Sequence, residues 1–148
     1  MKVVKTNSSN KDFIDLVTKL DEDLAIRDGD EHSFYAQFNT IDVIKYVIIL
    51  YFEDIPVACG AIKHFDEDTM EVKRMYVLDD FRGKGFATKV LIALEKWAID
   101  LKCKKLILET GKKQPEAIRL YQKNGFSIIP NYGQYIGIDN SVCFKKEI

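Results

Sequence analysis

The sequence has little that would indicate secretion, a membrane or a metal. Its cysteines are an odd, widely spaced set, Cys59, Cys103 and Cys143, without the paired spacing of metal ligands, so we expect reduced thiols and no metal site. The longest apolar run, Tyr46–Phe52, is too short to cross a bilayer. Residues 1–7 lack the apolar core of a signal peptide. Net charge is −1 with both signs interspersed, so we expect a cytoplasmic protein without a nucleic-acid or membrane partner.

The chain also lacks internal repeats, low-complexity tracts and Pro/Gly-rich linkers. Its 148 residues fit a single domain, residues 1–148, with a proper hydrophobic core. Hydrophobic periodicity predicts a helix capped by Ser9 or Asn10, and further helices over residues 31–38, 86–101 and 115–124. Strands are predicted over residues 2–5, 45–52, 57–65, 69–77, 105–110, 126–129 and 141–145.

The most informative segment is residues 75–88, where an apolar strand enters a basic, glycine-containing turn that opens directly into a helix. Gly83 and Gly85 allow a tight turn that brings backbone N–H groups close to a ligand. The following helix directs its unpaired amides and the positive end of its dipole to the same place, which favours a phosphate or pyrophosphate. The spacing is not that of a nucleoside-triphosphate loop, and Thr88 stands where a dinucleotide site has its third glycine.

The turn Arg82-Gly83-Lys84-Gly85-Phe86-Ala87 instead resembles the acyl-CoA-binding motif of the GNAT N-acetyltransferases, Gln/Arg-x-x-Gly-x-Gly/Ala. Residues 115–126 are similar to the family's second signature, Ala-x-x-Leu-Tyr-x-x-x-Gly-Phe. The resemblance covers residues 71–129 well and the N-terminal half in outline. It implies an α/β fold, a three-layer sandwich in which helices flank a mixed, mostly antiparallel sheet. It also implies an acyltransferase that passes the acetyl group of acetyl-CoA directly to a primary amine.

The resemblance implies where the co-substrate acetyl-CoA would bind. Backbone amides of the turn would hold the pyrophosphate, and the side chains of Arg82 and Lys84 would add positive charge. Backbone groups at the end of the preceding strand would bind the pantetheine arm, and the Val77 N–H would polarise the thioester carbonyl. Gln114 occupies a position where the family often has asparagine, so an amide is kept with a longer reach. The predicted cofactor-binding residues are Met75, Tyr76, Val77, Arg82, Gly83, Lys84, Gly85, Phe86, Ala87, Thr88 and Gln114.

Tyr121 and Glu71 are the candidate catalytic residues. Tyr121 matches the tyrosine that many members of the family use to protonate the departing thiolate, a transfer suited to a phenol with a pKa near 10; the alternative is that its ring only packs against the sheet. Glu71 could act as the general base, because strand alternation would place it on one face with Lys73, Met75 and Val77. A carboxylate paired with a neighbouring cation is an equal alternative for Glu71. His64 or a water relay could also accept the proton.

The resemblance implies that the acceptor would lie between residues 27–35 and residues 131–135. Both segments are dense in polar and aromatic groups, which suits a small polar molecule. Candidate substrate-binding residues are Arg27, His32, Tyr35, Tyr132 and Tyr135. Arg27 would suit a carboxylate on the acceptor, whereas the acidic residues at positions 28, 30 and 31 would suit a polycation. The sequence leaves this choice open.

The resemblance favours a small-molecule amine as acceptor. Two other functions stay open: an acetyltransferase for a protein amine, and a non-catalytic acyl-CoA sensor. A homodimer formed through the C-terminal strand is a further prediction.

Overall fold

A mixed β-sheet forms the centre of the protein. The computed structural model describes residues 1–29 and 43–148. The strands in these ranges are β1 (Lys2–Thr6), β2 (Tyr46–Phe52), β3 (Ile55–His64), β4 (Thr69–Val77), β5 (Lys105–Gly111), β6 (Ser127–Ile129) and β7 (Ser141–Glu147). The helices are α1 (Lys11–Asp28), α2 (Phe86–Asp100) and α3 (Pro115–Lys123), with short 3₁₀ turns at Asp79–Phe81 and Gly133–Tyr135. The helix predicted over residues 31–38 lies outside the described residues.

The strand order is β1-β2-β3-β4-β5-β7-β6. Neighbouring strands are antiparallel except β4 and β5, which run parallel. Parallel neighbours need a crossover connection, and α2 supplies it by covering one face of the sheet. The predicted sandwich with a mixed, mostly antiparallel sheet is therefore confirmed. Within the described residues, no helix is long and apolar enough to cross a membrane.

Helix α1 covers the other face of the sheet. It begins at a side-chain cap, because the Asn10 carboxamide oxygen accepts a hydrogen bond from the Phe13 N–H at 3.1 Å. Its apolar residues recur at helical spacing, and the buried ones are Phe13, Leu16, Val17 and Leu20. They pack against side chains of β2 and β3 to form a second core, separate from the core under α2 and α3. The sheet therefore has two covered faces, the α1 face and the α2 face, each with its own apolar core.

All three cysteines are buried free thiols, as the sequence predicts. Burial raises the pKa of Cys59 to about 12 and the pKa of Cys143 to about 11. Nucleophilic attack requires the thiolate, so these two thiols are chemically inert near neutral pH. They act as small core side chains.

Strand β4 contains a β-bulge. Cys59 on β3 lies opposite Tyr76, but Ala61, only two residues on, lies opposite Lys73. Two residues of β4, Arg74 and Met75, therefore oppose Gly60 alone, and Arg74 adopts the left-handed φ of 59°. A non-glycine residue in this conformation is uncommon, and here it bends the strand.

The bulge overturns one expectation about side-chain direction. Glu71 and Lys73 do not share a face with Met75 and Val77, because the extra residue reverses the alternation of the strand. Glu71 and Lys73 lie on the α1 face. Met75 and Val77 pack in the core of the α2 face. The prediction that these four side chains share one face is therefore wrong.

Strands β4 and β5 pair over three residues only. The pairs are Thr69 with Lys105, Met70 with Leu106, and Glu71 with Ile107. Beyond Glu71 the two strands diverge, although β4 continues six residues to Val77 and β5 continues to Gly111. The sheet is therefore split on one side, and the split opens a cleft between its two halves.

Replacement of Gly60 by alanine tests the packing of the bulge. The new Cβ would lie 2.5 Å from Met75 Sδ and 2.9 Å from methyl groups of Val90 and Leu94. We expect Gly60→Ala to lower the free energy of unfolding by about 1–3 kcal/mol through overpacking, measured by urea denaturation. Adding Met75→Ala should recover part of the loss. An unchanged midpoint in the single variant would show that the bulge tolerates a Cβ here.

Candidate active site

The split in the sheet forms a cleft of about 650 Å³. Its long walls are the diverging halves of β4 and β5, and α1, α3 and the start of α2 complete it. The cleft brings together most of the residues singled out from sequence. Those that line it are Arg27, Glu71, Met75, Tyr76, Val77, Arg82, Gly83, Gly85, Phe86, Ala87, Thr88, Gln114, Tyr121 and Tyr135. Lys84 and Tyr132 do not line it, and His32 and Tyr35 lie outside the described residues.

One end of the cleft is built to receive an anion. Gly83 and Gly85 have φ of 75° and 82°, and nothing lies within 4 Å of where their side chains would begin. Gly85 is also the N-cap of α2, and no side chain in the described residues caps this helix start. The amides of Phe86, Ala87 and Thr88 therefore have no intrahelical acceptor, and they face the cleft with the positive end of the helix dipole.

The end of β4 supplies backbone groups to the middle of the cleft. The Leu78 N–H donates to the Val57 carbonyl at 2.9 Å, so Leu78 is directed toward β3. Successive residues of a strand direct their backbone groups to opposite sides. The N–H and C=O of Val77 therefore point to the side from which β5 has diverged, and the Val77 carbonyl accepts a hydrogen bond from Arg82 Nε at 3.0 Å.

Arg82 is held by contacts with the protein. Besides Val77, its guanidinium contacts the carboxylates of Asp23 at 3.0 Å and Asp79 at 2.6 Å. It also lies over the Tyr76 ring, 5.5 Å from the centroid. The Lys84 ammonium lies 5.7 Å from the centroid of the Phe81 ring. That these two side chains add positive charge for the pyrophosphate stays a prediction.

Tyr121 lies on α3 at the wall of the cleft and is 6% exposed. Its ring packs between Phe126 and Phe144, with centroid distances of 5.7 Å and 5.9 Å. Burial, and after it the nearby Glu109 carboxylate, raises the pKa of Tyr121 above its ordinary value. The phenol therefore stays protonated throughout the neutral and moderately alkaline range, as a proton donor must.

Glu71 lies at the point where β4 and β5 part. Its Oε2 accepts a hydrogen bond from the Tyr132 hydroxyl at 2.6 Å, and its Oε1 is 3.9 Å from Lys73 Nζ. Burial, and then the charge of Glu71, raises the pKa of Tyr132 above its ordinary value. The Glu71 carboxylate is thus largely enclosed, oriented by a phenol and close to one ammonium.

Glu109 on β5 is a residue that the sequence analysis did not single out. Burial raises the pKa of Tyr135, and the carboxylates of Glu109 and Glu71 raise it further, so both carboxylates lie near this phenol. Glu109 lines the cleft and its Oε2 is buried. The signal in the sequence was an acidic residue directly after the apolar run at positions 106–108. Glu71, Glu109 and Tyr135 therefore line the same cleft, and Tyr132 is hydrogen-bonded to Glu71 beside it.

Two other candidates have different surroundings from those expected. Arg27 forms an ion pair with Glu116, which connects the end of α1 to the start of α3. His64 lies opposite Met70 on the α2 face, where its ring makes an edge contact with Tyr46 at 5.9 Å. His64 does not line the cleft, and the sheet separates it from Glu71.

Residues 13–126 match the family model described as the Acetyltransferase (GNAT) family, and this range includes the glycine turn, the split strands and α3. The chain belongs to the GNAT acetyltransferase family. The prediction of a transferase that uses acetyl-CoA is confirmed at the level of that family.

Solved structures of this family share the fold. A putative acyl-CoA N-acyltransferase from Klebsiella pneumoniae is 28% identical with a TM-score of 0.81, over 99% of this chain and 96% of that one. A GNAT family acetyltransferase from Elizabethkingia anophelis, solved with acetyl-CoA bound, is 19% identical with a TM-score of 0.71, over 99% and 97% of the two chains.

Among curated relatives, a spermine/spermidine N(1)-acetyltransferase from Bacillus subtilis is 35% identical over 72 residues, 45% of this chain and 47% of that protein. The chain spans 38–52% of the length of the curated relatives with which it shares 35–39% identity.

A carboxylate placed at the start of α2 tests the anion site. Gly85→Glu should weaken acetyl-CoA binding roughly tenfold or more, because it adds negative charge where the helix amides would meet the phosphates. Calorimetric titration with acetyl-CoA measures the change. Gly137→Glu is the matched control, since Gly137 has a similar φ of 80° and open space around it but does not line the cleft. Equal weakening in both variants would contradict the assignment.

Proposed function

We propose that the protein is an N-acetyltransferase that transfers the acetyl group of acetyl-CoA directly to a primary amine of a small metabolite. The observation that carries this proposal is the arrangement along one cleft. The glycine turn with the unpaired amides of α2, backbone groups of a split strand, the Tyr121 phenol and the Glu71 carboxylate all line it. These are the groups that acyl transfer from a thioester requires.

Acetyl-CoA would bind along the split. The amides from Gly83 to Thr88 would hold the pyrophosphate, and the pantetheine arm would lie between β4 and β5 in the place of a missing strand. The N–H of Val77, directed into the split, would donate to the thioester oxygen as negative charge develops there. A donor fixed before the reaction is the largest single catalytic contribution in many enzymes.

Transfer would proceed in a ternary complex without an acyl-enzyme. The amine nitrogen attacks the thioester carbon, the C–N bond forms and the C–S bond breaks. The departing thiolate would take the proton of Tyr121, a phenol that is protonated at neutral pH. The three cysteines take no part, because their buried thiols are poor nucleophiles.

Glu71 would accept the proton of the attacking amine. An alkylammonium is about one part in a few thousand neutral at pH 7, which costs roughly 4–5 kcal/mol unless a base assists. The Glu71 carboxylate is enclosed at the point where β4 and β5 part, and a hydrogen bond from Tyr132 orients it, which supports this role. A water relay is the competing path. His64 is disfavoured because it lies on the opposite face of the sheet.

The acceptor would lie at the end of the cleft lined by Glu71, Glu109 and Tyr135. These residues give it an aromatic wall and negative charge, which suit a small cationic amine better than a carboxylate-bearing one. Tyr132 contributes by holding Glu71. Arg27, which could have bound a carboxylate, is already paired with Glu116. The name of the spermine/spermidine relative is consistent with this charge. His32 and Tyr35 remain predicted contributors.

Removal of the Tyr121 hydroxyl separates an enzyme from a sensor. Tyr121→Phe should lower kcat by roughly 10²-fold and leave the Kd for acetyl-CoA nearly unchanged, because the ring would keep its packing between Phe126 and Phe144. Thiol release from acetyl-CoA in the presence of amines, with calorimetry beside it, measures both quantities. Tyr46→Phe, in a ring cluster outside the cleft, is the control and should change neither. A wild-type protein that binds acetyl-CoA but acetylates no amine would support the sensor.

Replacement of Glu71 by glutamine tests the general base. Glu71→Gln should lower kcat by roughly 10²-fold without weakening acetyl-CoA binding. Glu67→Gln, in the exposed turn before β4, is the control for loss of one carboxylate. A change of less than about threefold in Glu71→Gln would favour the water relay.

A further inference from the structure

Arg82, the first residue of the glycine turn, is engaged by protein oxygens instead of being left free for a phosphate. Each of its three guanidinium nitrogens already contacts an oxygen of the protein. Nε donates to the Val77 carbonyl at 3.0 Å, one terminal nitrogen contacts Asp23 at 3.0 Å, and the other contacts Asp79 at 2.6 Å. These contacts connect the end of β4, the following 3₁₀ turn and α1.

The local charge also argues against a phosphate at this side chain. The single positive charge of Arg82 faces two carboxylates, so the group of three carries a net charge of −1. A phosphate approaching the guanidinium would meet Asp23 and Asp79 at short range and would be repelled by them. The amides of the turn offer an anion site without that cost.

The contact with Val77 is the informative one. Val77 is the residue whose N–H points into the split, and Arg82 Nε binds the carbonyl of that same residue. Holding the carbonyl restricts the ψ rotation of Val77 at the point where β4 ends. A donor to a developing oxyanion must be aimed accurately, since a misplacement of about 1 Å can cost roughly 10²-fold in rate.

We propose that Arg82 is a positioning residue. Together with Asp23 it holds the carbonyl of Val77, which limits the movement of the Val77 Cα and, through it, of the N–H that this residue presents to the thioester carbonyl. It also ties α1 to the strand that carries this donor. This inference rests on the proposed function, because it assumes that Val77 contacts the thioester. Arg82 and Asp23 are about one-third exposed and Asp79 is mostly exposed, so these ion pairs contribute little to stability. Their effect should appear in the geometry of the cleft.

The experiment uses Asp23→Asn, Arg82→Gln and the double variant, with Asp80→Asn as the control for loss of an exposed acid in the same turn. The Val77 amide proton is followed by NMR of ¹⁵N-labelled protein saturated with CoA and, separately, with acetyl-CoA. Only acetyl-CoA brings a carbonyl to the site, so the shift difference between the two complexes reports the hydrogen bond from Val77. Calorimetry gives the Kd for acetyl-CoA. Thiol release with spermidine as the probe amine gives kcat.

We expect a downfield difference at Val77 in wild type and in Asp80→Asn, and a difference less than half as large in Asp23→Asn and Arg82→Gln. The Kd for acetyl-CoA should stay within about twofold, while kcat falls roughly tenfold, a fraction of the 10²–10³ lost when an oxyanion donor is removed. Arg82→Lys should restore little, since lysine lacks the fork that reaches three acceptors. Asp23→Asn should add nothing in the Arg82→Gln background, because Asp23 acts through Arg82.

Results from the Arg82 and Asp23 variants can overturn the positioning role, whereas the wild-type spectra test the proposed function itself. If Arg82 binds phosphate, Arg82→Gln weakens acetyl-CoA binding about tenfold, whereas Asp23→Asn, which frees the guanidinium, strengthens it. If both variants keep the wild-type shift difference, the positioning role is wrong. If wild type itself shows no difference between CoA and acetyl-CoA at Val77, the donor assigned in the proposed function fails.

Discussion

The cleft depends on one interruption of backbone hydrogen bonding, the end of β4–β5 pairing after Glu71. A parallel pair that continued to Val77 would satisfy its own N–H and C=O groups and leave no space between the strands. The bulge opposite Gly60 bends β4 away at this point, and Met75 fills the space that a larger residue at Gly60 would occupy. The positions of the anion site, Tyr121 and Glu71 all follow, because each lies on an element that borders the split.

The parts of the structure fixed by local physics could be predicted from the sequence. The cap at Asn10, the buried stripe of α1, and the turn from β4 into α2 each depend on residues close together in the chain. The resemblance predicted the sheet and the cleft-lining positions of Tyr121 and Gln114, because the family motifs imply a particular fold. Whether Tyr121 transfers a proton remains a prediction.

What could not be predicted is set by contacts between distant segments. The bulge places Glu71 and Met75 on opposite faces of the sheet, whereas regular alternation would place them on the same face. No residue pattern within β4 itself indicates the extra residue. Arg82 pairs with Asp23 and Arg27 pairs with Glu116, 59 and 89 residues away in sequence. Because these partners are distant in the chain, the sequence alone predicts both arginines as ligand-binding residues. The sequence did not single out Glu109 because a carboxylate on a strand is ordinarily solvated. Only the structure places it beside the Tyr135 phenol.

The split also gives the protein two strand edges within its interior. Exposed edges of this kind ordinarily invite pairing with other chains, which leads to aggregation. Here α1 and α3 stand on either side, and the ion pair between Arg27 and Glu116 joins them beside the opening. A second polypeptide, with side chains on both faces, would have to break this contact to enter. A slender, extended molecule could enter without breaking this contact. The same arrangement of helices therefore protects the strand edges from other strands and leaves them open to a narrow ligand.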